Sequence, residues 1–237
     1  MENLFLKTKD NINISINWHK NGYDEVIIIC PGWFMTKDSN AFSKMAEAFC
    51  GDFDVISMDF RGHGKSSGFY TFTAKETLDV EAVVDFAKKH YKKIYLIGFS
   101  LGGGLVLIHS ARKNDVDKVI AVSPYSVFEK IENHMWHKNA FIPTLKKFEP
   151  RRWCSIRPSI VIHKKINPID LVDKISVPTL FVAGCHDKTV FPHHTESLYQ
   201  KAECIKKYEL FENGLHAEDL FLDEKDRFVK LCTDWLK

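Results

Sequence analysis

The sequence predicts an α/β fold in which a mostly parallel sheet of eight strands carries helices on both faces. Three observations support this. Strand-like runs alternate with amphipathic helical segments along most of the chain, the order of a parallel sheet built from crossover units. Several runs, such as residues 26–30, are continuously apolar, as strands covered on both faces must be. One apolar run, 94–97, leads through Gly98-Phe99-Ser100-Leu101-Gly102 into a second at 105–108, which reads as strand, tight turn and buried helix.

Residues 4–7 and 12–18 read as two antiparallel strands. The second alternates Ile12, Ile14, Ile16 and Trp18 with Asn13, Ser15 and Asn17, giving one buried and one wet face. Asn21-Gly22 is a turn, 26–30 a buried strand, and Pro31-Gly32 breaks it. Asp38 or Ser39 is placed to cap a helix through Phe49, with Phe42, Met45, Ala46 and Phe49 on one face. A strand at 53–58 and a helix at 74–90, carrying Leu78, Ala82, Val83 and Phe86, precede the strand at 94–97. A helix at 101–112 and a strand at 116–122 follow. Residues 123–168 break the rhythm. It resumes with a strand at 177–183, a helix at 195–202, a strand at 205–211 and one closing helix over 220–236.

A chain of 237 residues, 45% hydrophobic and 27% charged, suits one domain, or one domain with an insertion. At this size about 70% of the unfolded surface is buried on folding, enough for an ordinary core. A net charge of +2 gives no argument for nucleic acid or an acidic membrane as partner. The N-terminus lacks a basic segment followed by an apolar one, and no run approaches the ~20 apolar residues of a membrane span. The expectation is a soluble cytoplasmic protein. Cys30, Cys50, Cys154, Cys185, Cys204 and Cys232 form no C-x-x-C pair and read as reduced, core-type thiols.

The chemistry concentrates at Gly98-Phe99-Ser100-Leu101-Gly102. In a turn this tight, a Cβ two residues before or after Ser100 meets neighbouring backbone, so glycine fits at 98 and 102. The turn sets the Ser100 hydroxyl at a helix N-terminus, where N–H groups are unpaired and the dipole favours negative charge. Serine alone is a poor nucleophile and needs a base and an acid elsewhere. Asp187 follows the strand at 177–183 and His216 follows the strand at 205–211, so both leave C-terminal strand ends, on the edge that holds Ser100. Asp170 and Asp173 precede the strand at 177–183 and fall at the wrong end.

With these residues in view, the sequence resembles the α/β-hydrolase superfamily over nearly the whole chain outside 123–168. The likeness rests on the G-x-S-x-G turn, on Asp59-Phe60-Arg61-Gly62-His63-Gly64-Lys65-Ser66-Ser67-Gly68, on residues 177–187 and on Gly214-Leu215-His216. The set is most similar to small esterase, monoacylglycerol-lipase-like and acylaminoacyl-esterase-like branches. The resemblance implies a serine hydrolase cleaving carboxylic esters through an acyl-enzyme. In it Ser100 is nucleophile, His216 general base and acid, and Asp187 the residue that orients the imidazole. It further implies an oxyanion hole from the backbone N–H groups of Leu101 and Trp33. Pro31 stands where the family usually has His, which bears on how the loop at 31–34 is anchored. Asp59, Arg61 and His63 read as loop braces. His186, His193 and His194 read as exposed loop histidines, and no organic cofactor or metal is implied.

A thioesterase, amidase or acyltransferase would use the same triad. A non-catalytic binding module on the same scaffold is a further alternative, with Pro31 as its best support. Relatives that break epoxides or carbon–halogen bonds carry Asp at the position of Ser100, and a dinucleotide enzyme lacks its G-x-G-x-x-G here. The core is expected at 1–125 and 169–237, with a cap at 126–168. The cap carries Lys130, Lys138, Lys146, Lys147, Arg151, Arg152, Arg157, Lys164 and Lys165 against Glu129, Glu132 and Glu149, with Phe128, Met135, Trp136, Phe141, Phe148 and Trp153. Such a cap either selects an anionic or aromatic ester, or packs its aromatics on the body and leaves its charges in water. The expected partner is a small-molecule acyl ester; oligomeric state is not encoded in any visible pattern.

Overall fold

The strands are β1 (Glu2–Lys7), β2 (Asn13–His19), β3 (Glu25–Cys30), β4 (Asp54–Met58), β5 (Lys93–Phe99), β6 (Lys118–Val122), β7 (Thr179–Gly184) and β8 (Lys206–Phe211). The helices are α1 (Asn40–Phe49), α2 (Thr77–Ala87), α3 (Leu101–Lys113), α4 (Pro192–Lys201), α5 (Glu218–Asp223) and α6 (Lys225–Leu236), with short 3₁₀ turns at Phe128–Lys130, Pro168–Asp170 and Val172–Lys174. This computed structural model describes residues 1–132, 137–138, 149, 155–161 and 164–237. The strands form one sheet in the order β1-β2-β4-β3-β5-β6-β7-β8. Pairing is antiparallel from β1 to β4 and parallel from there to β8.

The continuous apolar runs do what their composition requires. In β3, Val26, Ile28 and Cys30 enter one core layer, while Ile27 and Ile29 enter the other. The first layer packs against Val80, Val83 and Val84 of α2, Leu105 and Val106 of α3, and Leu198 of α4. The second packs against Phe42, Met45 and Phe49 of α1, and Phe228, Cys232 and Leu236 of α6. Helices therefore cover both faces, and the strands between them have no wet side. The edge strands differ: β1 alternates, with Leu4 and Leu6 against the core and Phe5 exposed.

Four expectations from the sequence are corrected. The polar face of β2 is wet only at Asn13; beyond it loops cover the face. Ser15 and Asn17 are buried; the Ser15 N–H donates to Ser66 Oγ at 2.8 Å, and Asn17 Nδ2 to Asp38 Oδ1 at 2.8 Å. Ser39 holds the N-cap position of α1 but does not cap it with its side chain; its hydroxyl accepts the Thr36 N–H at 2.9 Å instead. The closing helix is two helices, broken at Glu224 (φ −127°, ψ 51°). Phe221, Phe228 and Cys232 keep helical spacing across that break, so periodicity alone leaves it invisible. Helix α4 begins at Pro192, whose missing N–H costs nothing in the first turn, and thereby takes in His193 and His194, of which His194 is buried rather than exposed.

Of the predicted cap, residues Met135, Trp136, Phe141, Lys146, Lys147, Phe148, Arg151, Arg152 and Trp153 lie outside the described residues. Among those described, Arg157 is tied to the body. The Tyr70 N–H donates to the Arg157 carbonyl and the Arg157 N–H to the Gly62 carbonyl, each at 2.8 Å, and Arg157 Nη2 donates to the Ser66 carbonyl. Within the predicted cap itself, Lys165 lies 3.5 Å from Glu129 and 4.6 Å over the Phe128 ring. No helix among the described residues is long and apolar enough to cross a membrane. Cys30, Cys50, Cys185, Cys204 and Cys232 are free thiols.

Candidate active site

Strand β5 ends at Phe99 and α3 begins at Leu101, leaving Ser100 alone to reverse the chain. It does so at φ 52°, ψ −113°, a conformation that L-residues rarely adopt. The neighbours explain why the flanking positions are glycine. A Cβ on Gly98 would lie 2.3 Å from the Gly102 carbonyl oxygen, and one on Gly102 would lie 2.2 Å from that of Cys30. The turn is fixed by the Ser100 N–H, which donates to the Val122 carbonyl at 2.8 Å and so continues the β5–β6 ladder by one residue.

Asp187 sits on the loop between β7 and α4. Its Oδ1 accepts the N–H groups of Thr189 (2.8 Å) and Val190 (2.9 Å), an Asx turn that locks the carboxylate's direction. Its side chain is 1% exposed, and its Oδ2 lies 2.6 Å from His216 Nδ1. His216 sits on the loop after β8. That loop is laced to the Asp187 loop by the Cys185 N–H on the Phe211 carbonyl and the His186 N–H on the Gly214 carbonyl, each at 2.9 Å. On its other side, His216 Nε2 lies 2.9 Å from Ser100 Oγ. A carboxylate at Nδ1 holds the proton on that nitrogen, which leaves the Nε2 lone pair facing the hydroxyl. The chain thus brings Ser100, His216 and Asp187 into one hydrogen-bonded line from three separate strand ends. Asp170 and Asp173, on the turns before β7, are not part of it.

The loop after β3 crosses directly over this line. A Cβ on Gly32 would lie 3.3 Å from Ser100 Cβ, so the loop after β3 packs against the serine, and Leu101, the first residue of α3, follows it directly. The Trp33 ring stacks on Tyr70 with centroids 6.0 Å apart. With Pro31 in place of a histidine, the loop is anchored further along. The Lys37 N–H donates to Asp59 Oδ1 at 2.7 Å, while Asp59 Oδ2 accepts the Lys65 N–H at 2.9 Å. Burial pushes the Asp59 carboxyl up to about 6, against the pull of Lys37. Arg61 is also buried. Its Nη2 lies 2.7 Å from Asp79 Oδ1 and its Nη1 2.7 Å from Asp10 Oδ2. These residues hold loops and do not reach the serine line.

One residue of the site is missing from the sequence reading. Ser123, just past β6, accepts the Ala217 N–H on its Oγ at 3.1 Å, immediately after His216. The only signal in the sequence is a serine at a strand end beside Pro124, which is too common to single out.

The α/β-hydrolase fold family model matches residues 25–152, that is 128 of the 237 residues. Among curated proteins, the chain is 27% identical over 199 residues to the uncharacterized protein YqkD of Bacillus subtilis (strain 168), covering 81% of this chain; it spans 64% of that relative's length. Among solved structures, it is similar to the Pyrococcus furiosus esterase Pf2001 (TM-score 0.80, 21% identity, 99% of this chain and 91% of that one). It is also similar to a putative aryl esterase from Burkholderia cenocepacia (TM-score 0.79, 18% identity, 99% and 98%). Identities this low speak for the fold alone. The family match runs from β3 through β6 into the 126–168 segment, so it contains both the loop after β3 and the elbow itself, and the chain belongs to the α/β-hydrolase fold family.

Proposed function

We propose that the protein is a serine hydrolase that cleaves carboxylic esters through an acyl-enzyme. The observation that carries this reading is His216, within 2.9 Å of Ser100 Oγ on one ring nitrogen and 2.6 Å of Asp187 on the other. Ser100 Oγ attacks the ester carbonyl carbon while His216 Nε2 takes its proton. Asp187 keeps the ring oriented and stabilises the imidazolium. The negative charge on the former carbonyl oxygen is met by the N–H groups of Leu101 and Trp33, each such donor contributing roughly 2.7–4 kcal/mol at the transition state. The tetrahedral adduct then collapses. The C–O bond to the leaving alcohol breaks, and His216 returns the proton to that oxygen. Water repeats the sequence on the acyl-enzyme, releasing the acid and restoring Ser100. The names of two structures to which the fold is similar, an esterase and a putative aryl esterase, support the ester class.

The test is labelling with a fluorophosphonate, followed by a p-nitrophenyl ester panel from acetyl to palmitoyl with a thioester counterpart. Labelling at Ser100 that disappears in Ser100→Ala, with turnover of the oxygen esters, is the expected result. A folded protein that takes no label overturns the proposal in favour of a binding module. Turnover confined to the thioester moves it to another leaving-group class.

A further inference from the structure

Two segments distant in sequence meet where the 126–168 insertion touches the body. Tyr70 pairs with Pro158 in parallel, and the Ser159 N–H donates to the Tyr70 carbonyl at 2.8 Å. The Tyr70 side chain is fully buried and stacks inward on the Trp33 ring. The residues around it are turned out: Phe69 is 62% exposed, Ile160 99% and Val161 58%. We propose that this short ladder docks the protein on an anionic lipid surface, with Phe69, Ile160 and Val161 entering the headgroup layer and the neighbouring lysines meeting its phosphates.

Single exposed apolar side chains are ordinary on a protein surface; three large ones together mark a contact. Phe69 and Ile160 lie three residue steps apart along the paired segments, on the order of 10 Å. Ile160 stands at the apex of a turn in which the Val161 N–H donates to Ser159 Oγ at 3.1 Å. The turn carries the side chain away from the body, so nearly all of its surface stays in water. Arg157 holds the ladder from beneath. Its Nη1 donates to the Ser155 carbonyl at 2.7 Å and its Nη2 to the Ser66 carbonyl.

Charge decides what the patch meets. Residues 62–75 and 155–167, the two segments of the ladder, carry Lys65, Lys75, Arg157, Lys164 and Lys165, and no Asp or Glu. The whole chain has a net charge of only +2, so the remainder is net acidic and the overall value hides a local excess of cations. Lys65 and Lys165 lie 3.8 Å from Asp38 and 3.5 Å from Glu129. Lys75 and Lys164 are exposed, and no ion pair joins either to another described residue. Protein interfaces are poor in lysine and are anchored by Trp, Tyr and Arg. A lipid headgroup layer instead takes apolar side chains a few Å deep, while lysine stems lie along it with their ammonium groups at the phosphates. The Arg157 guanidinium is engaged by backbone carbonyls, so the lysines supply the attraction.

The experiment is co-sedimentation of the full chain with sucrose-loaded vesicles, made of phosphatidylcholine alone or of phosphatidylcholine mixed with phosphatidylserine, at low and high salt. Wild type is expected to bind the mixed vesicles, to leave them as salt rises, and to bind pure phosphatidylcholine far less. Ile160→Asp and Phe69→Ser are expected to lose about tenfold or more in affinity. Lys164→Gln is expected to lose about fivefold at low salt. Ile205→Asp, at an isoleucine 73% exposed just before β8, is expected to bind as wild type does. All four side chains are exposed, so wild-type melting temperatures are expected throughout. A wild type that stays off phosphatidylserine vesicles overturns the proposal, as does equal binding by wild type and Ile160→Asp, or binding indifferent to both lipid charge and salt. A dimer in solution that ignores vesicles and that Ile160→Asp dissolves overturns it in favour of an interface between two copies of this chain.

Discussion

The Ser123 hydroxyl accepts the backbone N–H of Ala217 at 3.1 Å, and both residues have positive φ, 48° and 51°. One bond thus joins the end of β6 to the residue after His216. The Ser123 N–H is itself held by the Val182 carbonyl of β7 at 2.8 Å. The histidine loop is therefore referred back to two central strands through a single side chain.

Replacing Ser123 with alanine leaves a buried N–H without its acceptor, a loss of about 1–3 kcal/mol. The His216 ring then samples positions away from Ser100. The expected result for Ser123→Ala is a kcat on the best ester lower by about tenfold with KM changed less than about twofold, because alignment rather than binding is lost. Steady-state kinetics on active-site-titrated enzyme separate this from general destabilisation. An unchanged kcat would mean that the loop holds itself.

The elbow conformation makes a stability prediction opposite in sign to its activity prediction. A non-glycine residue at φ 52°, ψ −113° stores about 1–3 kcal/mol of strain. Ser100→Gly relieves that strain, at an entropic cost of about 0.5–1 kcal/mol. The variant should gain about 1 kcal/mol, which for a chain of this size raises Tm by about 2–4 °C. Ser100→Ala keeps the Cβ and should gain much less. Both lose fluorophosphonate labelling. Calorimetry on the three proteins checks the ranking.

Most of the sheet and the serine line were legible in the sequence, for reasons that the coordinates make physical. Ile27 and Ile29 face one helix layer while Val26, Ile28 and Cys30 face the other, so burial on both faces writes itself as an unbroken apolar run. Gly98 and Gly102 are marked because backbone fills the space of their missing side chains. What stayed hidden depends on contacts distant in sequence. The burial of Ser15 comes from Ser66, 51 residues away. The bond from Ala217 to Ser123 spans 94. The break at Glu224 preserves the helical spacing of Phe221 and Phe228, so no pattern records it.

Arg61 tests whether the Asp59–Gly68 segment braces or catalyses. It is 2% exposed and holds Asp79, itself fully buried. Arg61→Met strands the Asp79 carboxyl without its cation, and a loss of about 3–5 kcal/mol is expected from urea unfolding. Arg61→Met combined with Asp79→Leu should recover most of that loss. In the double variant the rate of fluorophosphonate labelling per folded molecule should stay within about twofold of wild type. A labelling rate that collapses while stability is restored would instead make Arg61 part of the reaction.

His63 sets an acid limit on the fold. It is buried, its Nδ1 lies 3.1 Å from the Arg61 carbonyl, and its Nε2 has no hydrogen-bond partner. Burial, with Arg157 adding to it, lowers the ring to about 4 from an ordinary 6.5. The unfolded chain therefore binds a proton near pH 6.5 that the folded chain refuses until about pH 4. Because the unfolded state holds more protons in that window, stability is full above pH 6.5 and falls as the pH drops towards 4. Between pH 8 and pH 5 this one group should remove about 2 kcal/mol. Urea midpoints at pH 8, 6.5 and 5 measure the slope. His63→Gln, with no titrating ring, should be less stable at pH 8 because it fills the site poorly, yet lose about 2 kcal/mol less than wild type on going to pH 5. Parallel slopes in the two proteins would place the acid sensitivity in the carboxylates instead.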